Sequence, residues 1–419
     1  MKFEELLLSE YQTLGHSIFF ENSTGILGLR RLTDRFHDII NMSRKFPVYL
    51  YKIQEENYMK KLLALALGVV MALSAVACAN STKKDTYDLA LITDVGNIDD
   101  KSFNEGAWNG VKNYAEDNKI SYAYYRPSED STAARVETIG TAIDKGAKIV
   151  VCPGYLFEEA IFQVQDKYPD VQFLLLDGQP HNADYSTYTT AKNVHCILYQ
   201  EEQAGYLAGY AAVMDGYTKL GFLGGMSVPA VVRYGYGYVQ GAEAAAAELG
   251  LAAGSVTIKY WYSGVFAPSD DIKNKMAGWY TDGTEIVFAC GGGIYLSATA
   301  AAEAAGAKVI GVDVDQSAQS STIVTSAMKE LTKSVELALT SIYANGGKWD
   351  ATFAGVTATL GAKDGCVGLP TAKDSWRFTK FTSAQYDAVF AKLTDGSLVV
   401  SNDIENAPAV TICSVDYQS

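Results

Sequence analysis

The feature that most constrains this chain is a regular alternation of short apolar runs with longer helix-like stretches, which begins near Tyr87. A first series leads from a strand over 87–93 to a strand over 194–198, and a second series begins with a helix over 201–214. The apolar runs are continuous, which is typical of parallel strands that are covered on both faces. The pattern therefore predicts an α/β fold of two doubly wound, Rossmann-like lobes in tandem.

Charge and cysteine usage exclude several classes of partner. The 419 residues include 48 Asp and Glu against 34 Lys and Arg, a net charge of −14, whereas nucleic-acid binding needs a basic surface. The four histidines are scattered and no Cys-x-x-Cys pair occurs, so we expect neither a metal site nor a cofactor. Five cysteines lie in apolar runs and are expected to be buried thiols: Cys152, Cys196, Cys290, Cys366 and Cys413.

A secretion signal precedes the alternating region. Two lysines follow Met59 and lead into an apolar run that ends in Ala-Val-Ala, directly before Cys78. This arrangement is typical of a signal peptide, here over 59–77. Residues 1–58 lie upstream of the complete signal, so we expect a mis-assigned start or a leader there. The alternative for 1–58 is a genuine small amphipathic segment.

Cys78 follows the small residues as in a bacterial lipoprotein, whose cysteine is lipidated and becomes the mature N-terminus. Residues 78–85 would then form a lipid anchor and linker, which tethers a protein to a membrane surface without spanning it. Position 75 is Ala, where such signals most often carry Leu. Soluble secretion after ordinary cleavage and a retained apolar anchor are therefore alternatives.

Polar and Gly-rich residues follow the predicted strands at their carboxyl ends, where doubly wound sheets bind ligands. In the segment 94–104, Asp94 ends a strand, and Asp99 or Asp100 can cap the helix that follows. Phe103 and Asn104 would then lie in the first helical turn, at the mouth of a cleft between the lobes. A carboxylate, an aromatic ring and a carboxamide in this arrangement can bind a sugar hydroxyl and a flat base. The alternative is a capped helix whose Phe is a core residue.

The segment 94–104 resembles the opening motif of the basic membrane protein family, which comprises lipid-anchored substrate-binding proteins of ABC transporters for purine nucleosides. Five more motifs of the family follow in order, and together the six cover roughly residues 86–400. They lie at 173–178, 220–229 with Arg233-Tyr234, 290–293, 311–316 and 325–329. The resemblance implies a type I periplasmic-binding-protein fold with a hinge between its lobes.

For the base of the ligand, the resemblance implies that Phe103 and Tyr234 stack on its two faces, and that Asn104 and Asp177 bind its edge. Position 234 is Tyr where the family pattern has Phe, so its hydroxyl needs a partner of its own. The alternatives are a turn cap for Asp177 and a packing role at a helix start for Tyr234.

For the sugar, the resemblance implies that Asp94 and Asp313 accept hydrogen bonds from ribose hydroxyls. Lys329 would donate to the ribose or neutralise a nearby carboxylate, unless it is a solvated helix residue. Gly292, within the Gly-rich segment 291–293, would let the backbone approach the sugar closely.

The resemblance also implies an organisation and partners. One lobe would hold 86–199 plus 326–352, and the other 200–325 plus 353–419, with hinge crossings near 199–202, 325–327 and 352–355. We expect a monomer that is anchored on the extracytoplasmic face of the cell membrane and delivers its ligand to an ABC permease.

An enzyme is not expected, because the sequence has neither a Gly-x-Ser-x-Gly elbow nor a His-Glu-x-x-His motif. The competing hypotheses keep the fold and change the function. Riboflavin or a sugar would use the same carboxylates and rings, and a signalling lipoprotein would bind without any transporter.

Overall fold

The structure of the protein is a computed structural model, and it describes residues 86–419. The predicted signal peptide, Cys78 and residues 1–58 lie outside the described residues. Within 86–419, no helix combines the length and the apolar character needed to cross a membrane.

Strands and helices alternate as the sequence pattern predicts. The strands are β1 (Leu89–Ile92), β2 (Tyr122–Tyr125), β3 (Ile149–Pro153), β4 (Gln172–Leu176), β5 (Val194–Tyr199), β6 (Lys219–Gly224), β7 (Val256–Tyr262), β8 (Ile286–Cys290), β9 (Lys308–Asp313), β10 (Ile323–Lys329), β11 (Val356–Leu360), β12 (Val367–Gly368) and β13 (Cys413–Gln418). The helices are α1 (Phe103–Asn118), α2 (Thr132–Asp144), α3 (Glu158–Val164), α4 (Glu201–Met214), α5 (Pro229–Glu248), α6 (Asp270–Thr281), α7 (Tyr295–Ala305), α8 (Leu331–Ala344) and α9 (Ser383–Thr394).

The strands form two sheets, which define two lobes. The first sheet has the order β11-β5-β4-β3-β1-β2, and all its strands are parallel. The second has the order β12-β10-β9-β8-β6-β7-β13 and is parallel except for β12. The central strands are buried along their whole length, as expected of sheets covered on both faces. The predicted fold class is confirmed.

Sheet membership divides the chain differently from the predicted lobe boundaries. β11 pairs with β5 in the first sheet, although 353–419 was assigned to the second lobe. β10 pairs with β9 through Met328, although the first lobe was predicted to resume at 326. Both predictions were wrong because the pairing partner of an edge strand, or of a strand next to a lobe crossing, depends on contacts distant in sequence. In addition, β11 lacks the continuous buried run that is typical of a central strand. The chain thus passes between the sheets near 199–201, 329–331 and 360–367.

Helices α4 and α5 of the second lobe pack against each other through glycines. A methyl group on Gly205 would lie 2.0 Å from the carbonyl oxygen of Tyr234, and one on Gly209 would lie 2.0 Å from that of Tyr238. Only glycine permits so close an approach of two backbones. The contact fixes α5, and with it Tyr234, against the start of α4. Within the described residues the five predicted thiols are buried and unpaired.

Candidate functional site

A cavity of about 600 Å³ lies between the carboxyl ends of the two sheets. All eight residues predicted to bind ligand line it. They are Asp94, Phe103, Asn104, Asp177, Tyr234, Gly292, Asp313 and Lys329. The structure therefore brings together side chains that are separated by more than two hundred residues of sequence.

Two carboxylates face the cavity from opposite lobes, and both have an unusual backbone. Asp177 follows β4 of the first sheet with φ 59°, and Asp313 ends β9 of the second sheet with φ 64°. This left-handed region is uncommon for residues other than glycine, although Asp tolerates it better than most. Strained backbone of this kind costs about 1–3 kcal/mol and clusters at functional sites.

Asp94, Asp100 and Asn104 form a hydrogen-bonded group at the start of α1. The Asp100 carboxylate accepts from the backbone N–H groups of Ser102, Asn104 and Glu105, so it caps the helix as predicted. Both hydrogens of the Asn104 amide go to carboxylates, at 2.8 Å from Asp94 Oδ1 and 2.9 Å from Asp100 Oδ2. The predicted role of Asn104 at the edge of a base would require these bonds to exchange. Burial raises the pKa of Asp94 to about 6, although the hydrogen bonds from Gly96 and Asn104 partly offset this increase.

Lys329 lies at the centre of the site. Its Nζ is 2.5 Å from Asp177 Oδ2 and 2.9 Å from Glu201 Oε1. The same Nζ lies 5.1 Å from the ring centre of Phe103 and 5.6 Å from that of Tyr234, within the range of cation–π attraction. Burial alone would lower the pKa of Lys329, but the nearby carboxylates raise it, so the side chain stays charged. Lys329 is 2% exposed, which excludes the alternative of a solvated helix residue.

The sequence patterns did not single out Glu201, and Arg233 was part of a motif without a role of its own. Glu201 is fully buried at the start of α4, and its second oxygen accepts from Arg233 Nε at 2.6 Å. Burial would raise the pKa of Glu201, but Lys329 and Arg233 outweigh it and lower the pKa. The available signal was a pair of glutamates at the head of a helix whose other residues are largely small or apolar.

Hydrogen bonds between the loops of the two lobes lie next to the cavity. Ser102 Oγ donates to Asp313 Oδ2 at 2.6 Å, and Gln316 Nε2 donates to the Lys101 carbonyl oxygen at 2.8 Å. Gly292 has φ 49°, and a methyl group there would lie 2.9 Å from the Phe266 carbonyl oxygen. Backbone conformation and this packing are therefore enough to require glycine at 292.

The comparisons with known proteins agree on one family. The sequence model of the family described as ABC transporter substrate-binding protein PnrA-like matches residues 88–389. Basic membrane protein A1 of Borrelia garinii subsp. bavariensis is 30% identical over 315 residues, which are 74% of this chain and 88% of that protein. The ABC transporter nucleoside-binding protein BmpA of Lactococcus lactis subsp. cremoris is 27% identical over 60% of this chain and 72% of its own length.

Solved structures agree on the fold. A solute-binding protein of an ABC transporter system from Aeropyrum pernix K1 aligns with a TM-score of 0.61 at 22% identity, covering 75% of this chain and 94% of its own. A second, from Conexibacter woesei, aligns with a TM-score of 0.58 at 22% identity, covering 75% and 98%. The chain belongs to the Bmp family of PnrA-like ABC transporter substrate-binding proteins.

Proposed function

We propose that this protein binds a purine nucleoside between its lobes and delivers it to the membrane permease of an ABC importer. The observation that carries the proposal is that the predicted ligand-binding side chains line one cavity between the lobes: Phe103, Tyr234, Asp94, Asp177, Asp313 and Lys329. The name of the Lactococcus relative, a nucleoside-binding protein, supports the same ligand class.

The chemistry of the lining suits a ligand with a flat part and a hydroxylated part. Phe103 and Tyr234 offer ring faces for a base, since aromatic stacking adds about 0.5–1.5 kcal/mol beyond burial. Asp94 and Asp313 offer acceptors for sugar hydroxyls, and Asp177 offers one for a base N–H. The lining carboxylates outnumber its cationic groups, which favours a neutral nucleoside over a phosphorylated one.

The two-lobed architecture supports a closure mechanism. Residues from both lobes face the ligand position, so binding favours the closed arrangement by hinge bending at the three crossings between the sheets. The closed form then engages the permease. Lipidation of Cys78 would tether the monomer to the extracytoplasmic face of the membrane without spanning it.

Calorimetric titration of the protein, refolded to remove bound ligand, tests the proposal. The ligands are guanosine, adenosine, inosine, riboflavin and ribose. We expect micromolar or tighter binding of at least one purine nucleoside, about −8 kcal/mol or more favourable. Binding of riboflavin or ribose alone would retain the transport role and overturn the assigned base contacts. Binding of none would contradict the nucleoside proposal.

A further inference from the structure

Two side chains that line the cavity carry a buried polar atom with no hydrogen-bond partner within residues 86–419. One atom is Asp177 Oδ1 in the first lobe, and the other is the Tyr234 hydroxyl in the second lobe. Burial raises the pKa of Tyr234 well above its usual value, and the Asp313 carboxylate raises it further. The hydroxyl therefore keeps its proton and is a donor that lacks an acceptor.

Three other buried side-chain donors at the site already have partners. Lys329 is paired with two carboxylates, and Ser102 donates to Asp313. The Asn104 amide donates to Asp94 and Asp100. The Tyr234 hydroxyl, in contrast, is a buried donor without a partner among the described residues, on a side chain that lines the cavity together with several carboxylates. Leaving such a donor unpaired is costly, so a ligand that supplies an acceptor gains affinity.

We propose that the Tyr234 hydroxyl is a specificity-determining donor, and that it binds the oxygen of a sugar hydroxyl beside Asp313. The inference rests on the proposed nucleoside function and adds a side-chain group that recognises the sugar by a hydrogen bond. After burial, the Asp313 carboxylate is the largest cause that raises the pKa of Tyr234, and both side chains line the cavity. A sugar hydroxyl can donate and accept at once, so one hydroxyl can donate to Asp313 while accepting from Tyr234.

The substitution Tyr234→Phe tests this assignment, because it keeps the ring and removes only the hydroxyl. The probes are inosine, 2′-deoxyinosine, 3′-deoxyinosine and hypoxanthine, each titrated against the wild type and the variant. We expect inosine to bind roughly three- to tenfold more weakly to the variant, the usual cost of one lost hydrogen bond. The deoxynucleoside that lacks the contacted hydroxyl, and hypoxanthine, should bind both proteins equally.

A matched control lies one helical turn away. Tyr238 on α5 also has a buried hydroxyl without a partner among the described residues, but it does not line the cavity. Tyr238→Phe should therefore leave all four affinities unchanged. Without ligand, both variants should melt at or above the wild-type temperature, because each loses an unsatisfied polar group.

The outcomes separate this inference from the proposed function. If the wild type binds inosine but Tyr234→Phe weakens every probe by the same factor, or none, the sugar contact is wrong and the function stands. A lowered melting temperature of the ligand-free Tyr234→Phe protein would show that the hydroxyl stabilises the fold. That result would also overturn the proposed hydrogen bond to the sugar. If the wild type binds no nucleoside, the proposed function and the sugar contact are both wrong.

Discussion

Glu202 is a buried carboxyl group that the site does not use. It is 2% exposed, its Oε2 has no partner among the described residues, and it follows Glu201 at the start of α4. Burial raises the pKa of Glu202 to about 7 from 4.5, Glu201 raises it further, and Arg233 opposes the shift. Because the folded-state pKa is the higher one, ionisation of Glu202 works against folding.

The pH dependence of Glu202→Gln follows from that sign. Below about pH 4.5 the carboxyl is protonated in the folded and unfolded chain, so the substitution should leave the free energy of unfolding nearly unchanged. Between about pH 4.5 and 7 the wild type progressively loses stability relative to the variant. Above pH 7 we expect the variant to be more stable by up to about 3 kcal/mol.

Urea unfolding at pH 4.5 and pH 8 measures this difference. Glu137→Gln, at an exposed position of α2, is the control and should change little at either pH. If Glu202→Gln is equally destabilised at both pH values, the carboxyl group makes a stabilising contact in both protonation states.

At the scale of elements, the α4–α5 contact determines where the ring of Tyr234 lies. Four glycines let the two backbones touch: Gly205 and Gly209 on α4, and Gly237 and Gly241 on α5. A methyl group on Gly241 would lie 2.0 Å from the Tyr206 carbonyl oxygen, where only movement of a helix could make room. The packing of this helix pair therefore supports both the core and the site.

We expect Gly241→Ala to destabilise the protein by about 3 kcal/mol, since overpacking against backbone forces the helices apart. The shift of α5 should also weaken nucleoside binding. Gly278→Ala on α6 is the matched control, because no atom lies within 4 Å of the added methyl group. It should be neutral or stabilising by up to about 1 kcal/mol. Urea unfolding measures the stability and titration measures the binding. Equal stabilities of the Gly241→Ala and Gly278→Ala variants would contradict the overpacking argument.

Local patterns were enough to predict the elements but not all of their partners. The helix predicted over 201–214 is α4, with the same bounds. α5 begins at Pro229, because proline suits a first helical turn. β11 belongs to the first sheet through pairing with β5, which no local pattern reports. Likewise, motif positions predicted eight of the residues that line the cavity. The hydrogen bonds of Asn104 to two carboxylates, however, depend on the folded geometry.

At the scale of the whole molecule, hydrogen bonds and an ion pair join the two lobes, which bears on the proposed closure. Ser102 is fully buried and donates to Asp313 of the other lobe, and the Lys329–Asp177 pair links β10 of the second sheet to the end of β4 in the first. These bonds form only when the loops meet, so they stabilise the closed state relative to an open one. A hydrogen bond to a charged group contributes about 1.5–3 kcal/mol.

Loss of the Ser102 contact should therefore shift the ligand-free protein towards the open state. We expect Ser102→Ala to have a larger radius of gyration than the wild type without ligand, and an affinity for nucleoside about tenfold weaker. At saturating ligand the two proteins should scatter alike. Ser121→Ala is the control, because Ser121 donates to Asp88 at 2.9 Å within one lobe and should leave the scattering unchanged. Identical ligand-free scattering of Ser102→Ala and wild type would mean that the Ser102–Asp313 bond does not control closure.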